Sequence, residues 1–452
     1  MKYHLAVFGC QMNKNDADRL RTILQTLGGR EVEAMEDADL VIFVTCSVKQ
    51  HAEDRIFGLL AKLAAEHAHK RKKPVVTAIT GCMARKTSSR FSEEKKDALF
   101  HRSKNIDIVF RIKEANTLPN LLKDFFPEVN EFRGEFPGIF ETMPTQKTSH
   151  SAFVPISTGC DHHCTYCIVP HTRGKEECRP KEEILQECKM LIEKGAKEIT
   201  LLGQNVNRYY AGERGKNPFR TDFAQLLDDV AQLEGLTWLR FLSPHPQHMG
   251  EDVLEVMAKH KNICRHLHLP AQSGDNEMLR KMARGYTVEK FRETAALARK
   301  MMPDIAITTD MIVGFCGETE EQHKRSLALC EAEQFDMIYI SKFSVRPNTP
   351  AEKWDDDIPL EEKKRRFHEM NEILKCSSKR NNEREVGKIR MVLVDKILPQ
   401  KVLSGPIIAE GHTSQARRVQ FEVGKRAEAF IGKFVDVKIT QAKTFLLEGK
   451  LL

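Results

Sequence analysis

The order of hydrophobic and polar positions predicts alternating strands and helices in the first 118 residues. Three apolar, β-branched runs cover residues 2–8, 39–44 and 73–80, and two amphipathic stretches between them cover about 14–27 and 53–68. The runs have the length and composition of strands, and the stretches have helical periodicity. Strands joined by helical crossovers lie parallel in one sheet, so this pattern predicts a parallel-sheet N-terminal domain.

Residues 151–380 repeat the same alternation six times. The strand-like runs lie at residues 152–158, 198–202, 238–242, 266–269, 306–313 and 337–343. Helix-like stretches lie at about 181–194, 222–233, 252–259, 287–300, 318–333 and 360–380. Six strand–helix units predict an open, three-quarter (β/α)6 barrel, because a closed barrel of eight units usually needs more residues.

The rest of the chain has a different pattern. Residues 119–150 are rich in Pro, Gly, Glu and Phe and lack periodicity, which indicates a linker or a strap packed across a neighbouring domain. Residues 381–452 carry five short strand-like runs, which predict a small C-terminal β-barrel in an α/β protein. Basic residues are interleaved with these runs and suit contact with phosphate, although an ordinary charged surface explains them equally well.

Each apolar run of the first region leads into a cysteine, namely Cys10, Cys46 or Cys82. The carboxyl ends of parallel strands meet at one edge of a sheet, so we expect these three thiols to lie together. Three thiolates can bind three irons of a [4Fe–4S] cluster and leave the fourth iron open. The alternative is coincidence, because a free cysteine is often only a small buried residue.

A second cysteine set follows the first strand of the central region. Cys160, Cys164 and Cys167 have the spacing C-x3-C-x2-C, with Tyr166 just before the last cysteine. A structural zinc site needs four ligands, usually as two separated pairs, so this loop favours a second iron–sulfur cluster with an open iron. A zinc knuckle or three incidental thiols is the alternative. His162 and His163 within the loop are interpreted as polar surface.

Composition and charge indicate the number of domains, the cellular compartment and the possible partners of the protein. The 452 residues suffice for about three domains. We find no apolar run of membrane-spanning length and no signal segment at Met1, so we expect a cytoplasmic protein without a membrane partner. Twelve cysteines in such a chain indicate metal or thiol chemistry in a reducing compartment. The net charge of +7 permits a nucleic-acid partner without establishing one.

Taken together, the chain resembles the methylthiotransferase family of radical S-adenosylmethionine enzymes over nearly its full length. The motifs that carry the resemblance lie at residues 9–13, 45–48, 166–170, 172–174 and 202–207. Gln11, Met12 and the residues after Cys46 favour the branch that modifies isopentenylated adenosine in tRNA. The branches that act on a ribosomal protein or on threonylcarbamoyl-adenosine usually carry other residues at these positions.

The resemblance implies the domains and the cofactors. It implies a methylthiotransferase domain at 1–118 with an auxiliary [4Fe–4S] cluster, a linker at 119–150, a radical core at 151–380 and a TRAM-type RNA-binding barrel at 381–452. The radical cluster would be bound by the second cysteine set together with S-adenosylmethionine. Candidate contacts of S-adenosylmethionine are the residues at the strand ends, namely Tyr166, Gly203, Gln204, Asn205, Ser243, Gln272, Asp310 and Arg346. Each of them could instead cap a helix or satisfy buried backbone. Arg173 is a further candidate for a substrate or cofactor contact.

The implied reaction places a methylthio group on ring carbon 2 of N6-isopentenyladenosine, next to the anticodon of tRNA. The implied partners are the anticodon stem-loop and an electron donor such as flavodoxin or ferredoxin, and the chain is expected to act as a monomer. One alternative is the same chemistry on threonylcarbamoyl-adenosine in tRNA or on a ribosomal protein. Another is a non-catalytic RNA-binding module that contains a metal.

Overall fold

The computed structural model describes residues 1–46, 50–70, 75–92, 96–132, 134–146, 150–212, 221–399, 405–424 and 426–452. Residues 47 and 48 of one quoted motif, and residues 73 and 74 of the third predicted strand, lie outside these ranges.

Among the described residues, the N-terminal region is a six-stranded sheet in the order β2-β1-β3-β4-β6-β5. Its strands are β1 (Lys2–Phe8), β2 (Arg30–Glu31), β3 (Leu40–Thr45), β4 (Val76–Gly81), β5 (Ser88–Ser89) and β6 (Ile108–Val109). Its helices are α1 (Gln11–Thr26), α2 (Gln50–Lys70), α3 (Leu99–Arg102) and α4 (Leu118–Leu122). β1, β3 and β4 are parallel neighbours, which confirms the predicted parallel sheet.

Both faces of this sheet are covered, which explains why its central strands are apolar throughout. All six residues of β3 are buried. On one face α1 contributes Leu20 and Ile23 to the core, and on the other face α2 contributes Ile56 and Leu60. The carboxyl edge of the sheet is thereby fixed between two helical layers.

The connector packs against the first of these faces. Phe126, Val129 and Ile139 are buried in the same core as α1. The buried Arg19 of α1 donates hydrogen bonds to the carbonyls of Phe140, at 2.8 Å, and of Ile139, at 3.4 Å. These residues form a strap across the N-terminal sheet. The predicted domain boundaries stay predictions.

In the described part of the central region, six parallel strands form two three-stranded sheets, of order β11-β10-β7 and β12-β13-β14. Its strands are β7 (Ser151–Pro155), β8 (Ser157–Thr158), β9 (Glu177–Cys178), β10 (Glu198–Leu202), β11 (Trp238–Phe241), β12 (His266–His268), β13 (Ala306–Val313) and β14 (Met337–Lys342). Its helices are α5 (Val169–Arg173), α6 (Lys181–Glu193), α7 (Phe223–Ala231), α8 (Glu251–Lys259), α9 (Asn276–Lys281), α10 (Val288–Met301), α11 (Glu320–Glu333) and α12 (Leu360–Glu383).

The two sheets form the predicted open barrel. A parallel bridge from Leu239 to Ile263 connects β11 with the segment that leads into β12. Among the described residues, β7 and β14 are not paired, so the barrel stays open between them. The predicted first strand, residues 152–158, is divided in two. β7 ends at Pro155, which has no amide hydrogen to donate, and β8 pairs antiparallel with β9 instead.

The C-terminal region is a closed five-stranded barrel of order β15-β16-β17-β19-β18, as predicted. Its strands are β15 (Ile389–Ile397), β16 (Ile407–Thr413), β17 (Arg418–Val423), β18 (Phe434–Ala442) and β19 (Leu447–Leu451). Short 3-10 helices in the described chain lie at Met35–Asp37, Ile112–Thr117, Pro127–Glu131, Val206–Arg208, Pro246–His248, Pro350–Lys353 and Ala427–Phe430. In the part of the chain that the structure describes, no helix has the length and apolarity needed to cross a membrane.

Ion pairs connect the C-terminal barrel to the central one. Nε2 of His412, on β16, lies 3.0 Å from Glu198 of β10, and its Nδ1 lies 2.8 Å from Asp395 of β15. Arg240 of β11 pairs with the same Glu198 at 2.6 Å and donates to the carbonyl of Thr413 at 2.7 Å. The two barrels are therefore joined through the buried Glu198, which pairs with His412 and Arg240, while the exposed Asp395 supports His412 from within the C-terminal barrel.

We expect this junction to weaken at high pH. Burial alone would lower the pKa of His412, but hydrogen bonds to Asp395 and Glu198 raise it from 6.5 to about 9. The ion pairs of protonated His412 therefore stabilise the fold fully below pH 6.5, and this stabilisation is lost as the pH rises through about 9. His412→Ala should therefore lower the melting temperature at neutral pH through a loss of about 2 kcal/mol, and the difference from wild type should shrink above pH 9.

The control is His368→Ala, at an exposed position of α12, which should change the melting temperature little at any pH. A melting difference for His412→Ala that stays constant from acid to alkaline pH would contradict the assigned ion pairs.

Candidate active site

The first cysteine set lies at the carboxyl edge of the N-terminal sheet. Cys10, Cys46 and Cys82 directly follow or adjoin the ends of β1, β3 and β4. The amide of Cys82 donates to the carbonyl of Thr45 at 2.9 Å, and a Cβ placed on Gly9 would lie 3.0 Å from the Cβ of Cys46. Burial raises the pKa of Cys10, and the nearby Cys82 raises it further. The structure brings the three thiols together, and their role as cluster ligands stays a prediction.

Asn13, in the first turn of α1, holds this edge in place. Its Oδ1 accepts hydrogen bonds from the amide of Cys10, at 3.2 Å, and from the Cys10 thiol, at 3.4 Å. Its Nδ2 donates to the carbonyl of Thr45 at 3.1 Å. Gly81 has a φ of +88°, and a Cβ there would lie 2.3 Å from the Thr45 oxygen, so only glycine fits beside the Asn13 contact.

Arg173, from α5 of the central barrel, reaches the first set. Its Nη2 lies 2.6 Å from Oδ2 of Asp16 on α1, and both side chains are buried. Burial would lower the pKa of Arg173, but Asp16 and the thiols of Cys82 and Cys10 raise it well above its usual value. A guanidinium in this position lowers the electrostatic cost of holding negatively charged thiolates nearby, although Asp16 already offsets its own charge.

The second cysteine set occupies one tight loop between β8 and α5. The amide of Cys167 donates to the carbonyl of Cys164 at 2.9 Å, and the amide of Cys160 donates to the carbonyl of Gly174 at 3.1 Å. Burial, with a smaller contribution from Cys164, raises the pKa of Cys160 to about 11 and that of Cys167 to about 12. Gly159 before the loop has a φ of +72°, and a Cβ there would meet backbone at 1.9 Å. The loop thus requires glycine at this position.

The spacing of the sulfurs bears on which metal group could bind. Among the described residues, neither cysteine set places three ligand atoms within 4.8 Å of one another. Zinc–sulfur bonds of about 2.3 Å would bring the sulfurs of one zinc ion to about 3.8 Å from each other. The donor set of three thiols at each site fits a cluster with one open iron.

One cavity of about 470 Å³ joins the two sets. Cys10 and Gln11 line it from the N-terminal sheet, and Tyr166 and Cys167 line it from the barrel. A small molecule in this cavity would therefore be in reach of both cysteine sets.

Besides Tyr166 and Arg346, three more of the predicted cofactor contacts line the same cavity, namely Ser243, Gln272 and Asp310. Ser243 and Gln272 are not glycines, yet their φ angles are +62° and +66°. Such left-handed backbone is costly and is held at ligand sites when the surroundings require it. The amide of Gln272 donates to the carbonyl of Asp310 at 2.8 Å, which fixes the segment after β12 to the middle of β13.

Gly203, Gln204 and Asn205 lie outside the lining of this cavity, beside β8. Oε1 of Gln204 and both amide atoms of Asn205 are buried and lack a hydrogen-bond partner among the described residues. A Cβ on Gly203 would lie 2.7 Å from Oγ of Ser157, which also lacks a partner there. Each unpaired buried group costs about 1–3 kcal/mol, so these atoms fit the polar groups of a bound cofactor.

Arg346, predicted as a cofactor contact, lines the cavity but is paired with the N-terminal region. Its Nη1 lies 3.7 Å from Oε1 of Glu53 on α2. Burial lowers the pKa of Arg346, and Glu53 and Cys46 oppose that shift. The residue therefore lies where the cavity wall meets the N-terminal region, near Cys46 of the first cysteine set.

Three histidines lie beside the second set. His162, His245 and His248 place ring nitrogens within 4.8 Å of one another, and the rings of His162 and His245 stack at 4.3 Å. The backbone amide of Gln247 donates to Nδ1 of His245 at 3.3 Å, so neutral His245 carries its proton on Nε2. That buried nitrogen then offers no lone pair to a metal ion. The cluster is better explained as packing beneath the loop, and His163 is exposed as expected.

A second cavity, of about 840 Å³, opens from the first. The two share the lining residues Gln11, Leu242, His266, Thr308 and Tyr339. The larger cavity is also lined by basic and aromatic side chains of all three regions, among them Lys14, Arg21, Phe153, Arg417, Arg418 and Phe445. Acidic side chains line it as well, namely Asp18, Glu198, Asp336 and Asp395. It therefore forms a wide passage of mixed charge from the C-terminal barrel toward the cysteine sets.

Models of protein families match the same three regions. The radical SAM superfamily matches residues 154–330, the uncharacterized protein family UPF0004 matches residues 2–102, and the TRAM domain matches residues 383–452. The open barrel, its cysteine loop and these matches define a radical S-adenosylmethionine enzyme.

Similar proteins show to which family of radical S-adenosylmethionine enzymes the chain belongs. A tRNA-2-methylthio-N(6)-dimethylallyladenosine synthase of Bacillus cytotoxicus is 36% identical over 458 residues, which cover 100% of this chain and 86% of that protein. The enzyme of the same name from Dictyoglomus thermophilum is 35% identical, and the match covers 100% of this chain and 98% of that protein. The one from Clostridium botulinum is 37% identical, over 99% of this chain and 96% of that protein. The chain belongs to the radical S-adenosylmethionine methylthiotransferase family, whose cofactors are S-adenosylmethionine and two [4Fe–4S] clusters.

Solved structures share the fold. The radical S-adenosylmethionine methyltransferase TsrM from Kitasatospora setae, with cobalamin and a [4Fe–4S] cluster bound, has a TM-score of 0.54 at 15% identity. The match covers 77% of this chain and 76% of that one. The cobalamin-dependent radical enzyme OxsB has a TM-score of 0.50 at 14% identity, over 81% of this chain and 56% of that one.

We expect Asn13→Ala to release the first cluster and leave the second. The change removes the acceptor of the Cys10 amide and the donor to Thr45, so the first three thiols lose their fixed spacing. Iron content after anaerobic reconstitution should fall from about eight to about four per chain. Thr26→Ala, at an exposed position at the end of α1, is the control and should keep full iron. Full iron in Asn13→Ala would show that this side chain does not organise the site.

Proposed function

We propose that this chain places a methylthio group on ring carbon 2 of N6-isopentenyladenosine in tRNA. The observation that carries the proposal is the single cavity bounded by Cys10 on one side and Cys167 on the other. A reaction that needs a carbon radical and a bound sulfur at the same carbon requires both sources in reach of one substrate. The similar proteins named for this product, matched along the whole chain, support the same conclusion.

In this proposal Cys160, Cys164 and Cys167 bind the radical cluster, and the first cysteine set binds the auxiliary one. When bound, the cofactors supply the 5′-deoxyadenosyl radical and the methylated sulfur. The chain supplies their placement. Both sets follow strands at carboxyl edges, and the buried ion pair between Arg173 and Asp16 holds the two edges against each other.

The cavity wall supports a role in binding S-adenosylmethionine. Tyr166 packs edge-on against Phe315 at 6.2 Å, so its ring is fixed beside Cys167. In the cavity lining, Ser243 follows β11, Gln272 follows β12 and Asp310 lies within β13, and each offers polar groups. Outside that lining, beside β8, Gln204 and Asn205 offer buried amide atoms without partners among the described residues. Donors and acceptors from several directions suit a ligand with a ribose, an adenine and an amino-acid tail.

The larger cavity supports the anticodon stem-loop as the substrate. A base next to the anticodon must leave its stack to reach a buried site, and protein aromatic and basic groups then hold the flanking nucleotides. The passage has Arg417, Arg418 and Phe445 at the C-terminal barrel, and Lys14 and Arg21 at α1. These side chains can bind phosphates and bases while one nucleotide enters.

The proposal includes a monomer in the cytoplasm that takes electrons from flavodoxin or ferredoxin. His163 in the cysteine loop is exposed, so a carrier can approach the radical cluster from the surface. Buried thiols that bind iron also need a reducing compartment.

Two cysteine variants separate the two cluster roles. Cys164→Ala should abolish 5′-deoxyadenosine formation and keep about four irons, because the first set is intact. Cys46→Ala should keep S-adenosylmethionine cleavage but yield no methylthiolated RNA. Cys376→Ala, at an exposed cysteine of α12, is the control and should change neither readout. Cleavage that survives in Cys164→Ala, or product from Cys46→Ala, would contradict the assignment.

The substrate is tested by mass spectrometry of tRNA nucleosides from a strain that lacks this chain. We expect 2-methylthio-N6-isopentenyladenosine to disappear and N6-isopentenyladenosine to accumulate. Loss of the methylthio group from threonylcarbamoyl-adenosine, or from a ribosomal protein, would assign the chain to another branch of the family. Unchanged levels, with one metal or only zinc per chain, would favour a non-catalytic RNA-binding module.

A further inference from the structure

Arg284 reaches the second cysteine set from the loop between α9 and α10. Its Nη1 donates to Sγ of Cys164 at 3.1 Å, although 120 positions separate the two residues. Its Nε lies 3.3 Å from the hydroxyl oxygen of Tyr286, and the guanidinium is buried. No sequence motif indicated this contact, because it depends on how the two loops fold together.

Arg284 differs from the other buried arginines in its partners. The remaining buried arginines each pair with a carboxylate within 4 Å, and these are Arg19, Arg21, Arg173, Arg179, Arg240, Arg346 and Arg366. Arg284 has no carboxylate at that distance among the described residues, and its hydrogen bonds go to a thiol and a phenol.

A buried cation without a counterion costs several kcal/mol, so the fold must supply an anion at this place. Cys164 is the group in contact with Arg284 that becomes an anion when it binds iron. Three thiolates around a [4Fe–4S] core of charge 2+ give a net charge of about −1, which becomes about −2 after one electron is added. The guanidinium therefore has a counterion only when the cluster is bound.

We propose that Arg284 is a positioning residue that pairs with the radical cluster through Cys164 and makes its one-electron reduction easier. This inference rests on the proposed assignment of the radical cluster to the second cysteine set. The electron comes from the carrier, enters the cluster, and breaks no bond at this step. The added negative charge lies beside the guanidinium, so the reduced state gains more from the pairing than the oxidised state does.

The surroundings hold Arg284 in this position. The hydroxyl of Tyr286 lies 2.9 Å from the carbonyl of Pro270 and 2.8 Å from that of Ala271, at the end of β12. The guanidinium carbon lies 5.4 Å from the centre of the Tyr286 ring. Tyr286 thus fixes Arg284 to the barrel edge that carries Gln272, close to the cavity.

The test is a redox titration of Arg284→Gln and Arg284→Lys, followed by electron paramagnetic resonance. Both variants are made in Cys46→Ala protein, so that the second set is the predicted site of the remaining cluster. At a fixed potential, Arg284→Gln should lower the ratio of reduced to oxidised cluster at least tenfold, a shift of about 59 mV for one electron. Arg284→Lys keeps the charge and should stay within about threefold of its parent.

Arg280→Gln, at an exposed position in the last turn of α9, is the matched control and should leave the ratio unchanged. An unchanged ratio in Arg284→Gln would overturn the inference and leave the proposed function intact. If Arg284→Gln fails to hold iron, the iron content of Arg284→Lys tests the inference instead. Iron retained in Arg284→Lys supports the role of Arg284 as a counterion, and an equal loss of iron in both variants overturns the inference. A Cys46→Ala parent without any cluster would instead overturn the proposed function.

Discussion

Buried ion pairs between the N-terminal region and the central barrel hold these two regions in one arrangement, on which the candidate active site depends. Arg173 pairs with Asp16 at 2.6 Å, and Arg19 pairs with Glu187 at 2.7 Å, with all four side chains almost fully enclosed. Buried pairs of this kind add little net stability, but removal of one partner is strongly destabilising, typically by about 3–5 kcal/mol. They therefore fix one arrangement of two domains that could otherwise pack in several ways.

That arrangement turns two ordinary parallel sheets into one site. In each sheet the strands end at a common edge, where loops can present thiols and polar groups. The ion pairs set the edges face to face, so Cys10 and Cys167 line the same cavity. The left-handed residues Ser243 and Gln272 lie on its wall, which indicates that backbone strain is held there by the surrounding fold. Substrate access comes from the side of the C-terminal barrel, where the larger cavity joins the smaller one.

Much of this could be predicted from the sequence, because buried parallel strands are continuous apolar runs with clear ends. The bounds of β1, β10 and β13 agree with the predicted runs, and the strand ends placed both cysteine sets. The two-residue strands β2, β5 and β6 could not be predicted, since such short segments show no periodicity. The partners of Arg284 and Arg346 could not be predicted either, because these partners lie far away in the sequence. Tertiary contacts of this kind have no local signal.

The central claim is that two three-thiolate sites face one cavity, and iron anomalous diffraction from anaerobically grown crystals tests it most directly. The account predicts two separate four-iron peaks, one beside Cys10, Cys46 and Cys82 and the other beside Cys160, Cys164 and Cys167, with no fourth protein ligand on either. A single peak, or a cluster whose last iron is bound by another side chain, would contradict it.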